Sequence, residues 1–129
     1  MIDIKPAVVK SVNEVLKEMK MCNKINIYWL FPKVGDTLPC IVYNEIGNDD
    51  FVRIPEIEYA NIEMQFTNYA DKENPHDLFT MANIVDKAMC EKLGFKKSYS
   101  GEVVFRDGVY SQVIRFTGIV NHNKLIFKN

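Results

Sequence analysis

No apolar run in the chain approaches the ~18 consecutive residues that a membrane span requires, so a bilayer-crossing helix is not expected. The amino-terminal stretch MIDIKPAVVK carries an acid and a proline where a secretory leader would be basic and then apolar. A soluble protein, made and used in a cytoplasm, is the expectation. Cysteine is sparse, and Cys22, Cys40 and Cys90 form an odd set without CxxC spacing. His76 and His122 are far from all three in sequence, so no zinc ligand set is expected. The cysteines read as reduced thiols, at least two on apolar faces. A nucleophilic role would need a histidine brought near by the fold.

The glycines are scattered singly, which excludes a glycine-rich phosphate loop. No G-x-S-x-G occurs, and Ser98, Ser100 and Ser111 have no evident histidine partner. An excess of either charge is also missing. Sixteen Lys and Arg against 17 Asp and Glu leave a net charge of −1, without the basic footprint of non-specific nucleic-acid binding.

What is present suits one globular domain: 129 residues, against roughly 100–200 per domain, with 47% hydrophobic residues to form one core. Val9, Val12, Leu16 and Met19 recur at helical spacing after Pro6, with Val8 and Val15 widening the stripe, and predict an amphipathic helix over about 6–21. INIYWLF follows as a strand, ended by Pro32 and Gly35-Asp36. LPCIVYNEI reads as an adjacent strand joined to it by a turn and stopped by GNDD. The third strand runs from about Glu58 to Tyr69, where Ile62, Met64 and Phe66 alternate with Asn61, Glu63, Gln65 and Thr67.

A second helix is punctuated by Asn74 as N-cap, Pro75 at the first helical position and Asp77 in the first turn. Leu78, Met81, Ala82, Val85, Ala88, Met89 and Leu93 form its apolar face. Gly94 ends it in a left-handed conformation, with Phe95 folding back. GEVVF and VYSQVIRFTGIV then flank Arg106-Asp107-Gly108, a strong hairpin signal. KLIF adds a short edge strand, either on this sheet or on a neighbouring subunit. The expected class is α+β: two helices packed on a largely antiparallel sheet, order α-β-β-β-α-β-β, as a single domain over residues 1–129.

Two readings compete for the third strand. Restriction-like nucleases also lay down a helix, a β-meander and a second helix, and hold magnesium with an acid on one strand and E-x-K on the next. Asp49, Asp50 or Glu45 would be the first acid here, and Glu63-x-Gln65 the second element. However, Gln65 supplies no positive charge, the strand alternation demands polar residues at 61, 63, 65 and 67 regardless of chemistry, and no Lys/Arg cluster offers to hold a phosphate backbone. No catalytic residue, cofactor or metal ligand is therefore expected; His76, in the first turn of the second helix, and His122, in the NHN turn, read as solvated or capping residues.

Other residues suit contacts with protein. Phe51, Val52, Arg53 and Ile54, within FVRIPEIEY, place interface-enriched types in an expected connection. The same residues equally suit the inward-packing start of the third strand. Arg106 and Asp107 form a hairpin tip of a kind that is usually just solvated, although such a projecting tip is also where a ring-forming protein would reach its neighbour. Trp29 is expected in the core.

In the order of its elements the chain resembles the tail terminator, or tail completion, family of long-tailed bacteriophages. Three stretches carry the resemblance: LPCIVYNEI, Ile62-Glu63-Met64-Gln65-Phe66, and the helix from Asn74 to Leu93-Gly94 before a closing hairpin. It covers nearly the whole chain, and it rests on order and spacing because the family has no invariant chemical residue. The resemblance implies a homo-hexameric ring that caps the tail tube, ends tube polymerisation and joins the tail to the head-neck. Its partners would be copies of itself, the tail tube protein and a neck or head-completion protein. It implies no membrane and no specific nucleic-acid contact, only DNA passing through the ring. The place of action would be the virion, after assembly in the host cytoplasm. The alternatives are another neck or head-closure component, a magnesium-dependent nuclease using Glu63, or a host domain that binds a small ligand.

Overall fold

The computed structural model describes residues 3–21, 24–30, 38–54, 57–121 and 126–127, of which 48–54, 57–59, 121 and 126–127 are described by backbone alone. A helix α1 (Lys5–Glu18) leads into β1 (Asn26–Trp29), β2 (Cys40–Ile54) and β3 (Ile57–Asp71). Then α2 (Asp77–Asp86) continues as a π-helical segment (Lys87–Lys92), and β4 (Lys96–Ser100), β5 (Val104–Arg106), β6 (Val109–Asn121) and β7 (Ile126–Phe127) complete the chain. The class is α+β as expected, and among the described residues no helix is long and apolar enough to cross a membrane.

One sheet runs β1-β2-β3-β6-β4. Because β3 occupies the whole of one side of β6, the short strands β4, β5 and β7 pair in succession along its other side. Both helices pack on one face of this sheet. Strict alternation puts Ala60, Ile62, Met64 and Phe66 of β3 on that face, against Ile114, Phe116 and Val120 of β6. Phe66 and Phe116 meet edge to face with centroids 5.7 Å apart, the arrangement aromatic quadrupoles favour. Val8, Val12, Val15 and Leu16 of α1, with Leu78, Met81, Ile84 and Val85 of α2, close the core from above.

The π-helical segment is tied to α1. Ser11 is buried, and its hydroxyl donates to the Ala88 carbonyl at 2.9 Å. Lys92 bonds Glu18 at 2.7 Å and lies 3.6 Å from Glu14. That hydrogen bond holds the Glu18 carboxyl below its ordinary range and raises the Lys92 ammonium. At the end of the helix, Gly94 has φ +78° and the Phe95 N–H returns to the Met89 carbonyl at 2.8 Å. This is the expected left-handed cap.

Several expectations are corrected. β1 and β2 are neighbours, but they run parallel, which no tight turn can achieve; Pro32 and Gly35-Asp36 lie outside the described residues. β2 does not stop at GNDD. It passes through those residues to Ile54 because β3 offers it a partner along its whole length, the mismatch being absorbed by a bulge between Glu45 and Gly47. Phe51, Val52, Arg53 and Ile54 are therefore strand rather than connection. α2 begins at Asp77, not after Asn74. A turn of hydrogen bonds from Asp77 to Asn74 and from Leu78 to Pro75 precedes it, and His76 takes the cap position without a side-chain cap.

Candidate functional site

The face of the sheet opposite the helices is the first candidate. Across its centre, Gln65 pairs with Asn44 on one side and Arg115 on the other. Arg115 donates from Nε to Gln65 Oε1 at 2.9 Å, and its guanidinium lies over the Tyr99 ring at 5.1 Å. A ladder of Gln65, Arg115 and Tyr99 thus crosses β3, β6 and β4 on a face where side chains are half-buried. Towards β1 the face closes, with Val42 and Cys40 buried. Burial pushes the phenol of Tyr69, opposite Cys40, above its ordinary range.

Glu63 stands on this open face, opposite Thr117 and Gly47. Glu45 pairs with Met64 and so points to the other side of the sheet. The two glutamates cannot share an ion. The side chains of Asp49 and Asp50 lie outside the described residues. Among those described, no group of three or more His, Cys, Asp or Glu residues comes together. The residue that does meet Gln65 is Arg115. Strand alternation alone could not indicate it, because the pairing joins residues 50 positions apart.

The second candidate is the pair of sheet edges. Val104-Phe105-Arg106 pairs with Val109-Tyr110-Ser111 around Asp107 and Gly108, with φ +53° and +78°. These are the left-handed conformations a two-residue hairpin turn needs, so the expected tip is formed and both Arg106 and Asp107 are exposed. Beside it, Tyr99, Val103, Val104 and Phe105 are each 48–55% exposed. Phe105 leans on Tyr110 with centroids 4.6 Å apart. Among the described residues nothing pairs with the outer side of β4 or β5.

The opposite edge is β1. Trp29 is not in the core as expected; it is 38% exposed, and Leu30 beside it is 46% exposed. Trp29 packs on Tyr43 with centroids 5.1 Å apart, and the Lys5 ammonium sits 5.0 Å from its ring centre. Together with Pro6, Val9 and Lys10 these residues line a shallow apolar groove. Among the described residues, β1 is the last strand on this side of the sheet.

Other sequence candidates remain apart. The side chains of Phe51, Val52, Arg53 and Ile54 lie outside the described residues, as do Cys22 and His122. Cys40 is buried and Cys90 is half-buried. Burial, assisted by Asp86, raises the Cys90 thiol above its ordinary range, the opposite of an activated nucleophile. His76 is exposed at the start of α2. Compared with known proteins, the chain matches no family model and no curated sequence.

Proposed function

We propose that this chain is a structural protein of a bacteriophage or prophage tail. It forms a ring that caps the tail tube, ends tube polymerisation and joins the tail to the head-neck. Its partners in this reading are copies of itself, the tail tube protein and a neck or head-completion protein. The observation that carries the reading is the β4–β5 edge, where Tyr99, Val103, Val104 and Phe105 stand half exposed and, among the described residues, no strand pairs with the outer side. Such an edge is a template for another chain, and exposed Tyr and Phe side chains along it are of the types enriched at protein contacts. The order of elements, from the capped second helix to the closing hairpin, supports the family resemblance on which the tail assignment rests.

Binding rather than catalysis is the role proposed, and the separation of Glu45 and Glu63 by the sheet weighs against the nuclease arrangement. Sedimentation and electron microscopy of the purified chain, alone and with the tail tube protein from the same genome, test the proposal. A ring-sized species that binds tube ends is expected. A monomer indifferent to tubes would contradict it.

A further inference from the structure

Building on the ring proposed above, we infer that its joint is one continuous sheet, with the β4–β5 edge of one copy laid against the β1 edge of the next. Among the described residues, six of the eight exposed large apolar side chains lie at these two edges, Ile46 and Phe79 being elsewhere. Trp29 and Leu30 lie at one, and Tyr99, Val103, Val104 and Phe105 at the other. The edges belong to opposite ends of one sheet, so a contact between them is head-to-tail, which is the kind that closes into a ring when its rotation permits.

Strand direction fits. β1 runs with β2, and the antiparallel steps from β2 through β3 and β6 leave β4 running against β1. Copies standing the same way up around an axis along the strands therefore bring β4 to β1 antiparallel. The exposed N–H and C=O groups of each edge then find partners. Charge fits as well. The groove beside Trp29 carries Lys5 and Lys10 around Pro6 and Val9, with Asp3 occupied by Lys5 at 3.4 Å. On the other edge the acid adjoining Val103 and Val104 is Glu102, and it is exposed. Phe105, paired with Tyr110 on the helix side of the sheet, is the apolar side chain that would enter the groove, while Val104 faces the other side.

The test is a mixing experiment. Leu30→Asp blocks the β1 edge at a left-handed position (φ +68°) that Asp tolerates, and Phe105→Asp blocks the β5 edge. Lys10→Glu serves as a second β1-side variant that leaves the strand itself untouched. Circular dichroism establishes that each variant is folded. Sedimentation follows, with tube protein present and absent. Each single variant is expected to lose ring-sized material, and an equal mixture of Leu30→Asp with Phe105→Asp is expected to stop at a dimer. In that dimer the intact β4–β5 edge of one variant meets the intact β1 edge of the other. Wild-type rings that survive either blocking variant would overturn the inference and leave the ring proposal standing. So would rings lost with Phe105→Asp but kept with Leu30→Asp and Lys10→Glu, since that edge would then meet something other than β1. A wild-type chain that never assembles would instead remove the ring proposal itself, and this joint with it.

Discussion

Arg115 on β6 donates to Gln65 on β3 at 2.9 Å, which places a guanidinium where an E-x-K nuclease would carry its lysine one strand away. The same guanidinium lies over the Tyr99 ring. Gln65→Leu should therefore cost about 0.5–1.5 kcal/mol in chemical denaturation, the usual net value of one hydrogen bond. Glu63→Ala on the same face should leave stability within about 0.5 kcal/mol, as for a half-exposed surface site.

The aromatic pair beneath the helices bears a larger share of stability. Phe66 and Phe116 are both fully buried at the centre of the sheet. Phe66→Ala leaves a cavity that the flanking strands cannot fill, and a loss of about 3–5 kcal/mol is expected in urea unfolding.

Gly118 tests the packing of the cap. A Cβ there would meet the Phe95 ring at 2.9–3.0 Å, and the ring is itself buried. Gly118→Ala should destabilise by about 1–3 kcal/mol through overpacking. In a Phe95→Ala background the same change should cost far less, so a double-mutant cycle should give a coupling above about 0.5 kcal/mol. Additive effects would contradict the contact.

Asn68 lies on the core face of β3, fully buried, with neither amide atom hydrogen-bonded. An unpaired buried amide costs about 1–3 kcal/mol, so Asn68→Val, an apolar residue nearer in volume than Leu and suited to a strand, should raise the melting temperature. A lowered one would show that the amide has a partner worth keeping.

The Cys90 thiol, raised by burial, should alkylate slowly near neutral pH. Its rate should still be rising with pH beyond the ordinary thiol range, as read by mass spectrometry of its peptide. The thiolate is the reacting form, so a rate that levels off near or below that range would refute the shift.

Much of the architecture was legible because local signals agreed with it. The period-two pattern of Ile62, Met64 and Phe66, the Asp107-Gly108 turn and the Gly94 cap all express short-range rules. What was hidden depends on partners distant in sequence. GNDD looks like a turn, yet β3 pairs with it residue by residue after the bulge; strand pairing overrides propensity there. KKSYS shows no apolar alternation, since all five residues of β4 are exposed, and it is a strand only because β6 extends beside it. Trp29 resembles a core residue by type, and only its place on an edge strand exposes it. For the candidate surfaces, the hairpin tip was readable from its turn residues. The groove of Trp29 and Lys10 needed α1 and β1 brought side by side, which no spacing along the chain reveals.

The length of tail tubes assembled from purified tube protein, with this chain present and absent, tests the proposed function most directly. The account predicts that adding the chain halts growth and yields short tubes, each bearing a ring at one end. Tubes of unchanged length with bare ends would contradict it.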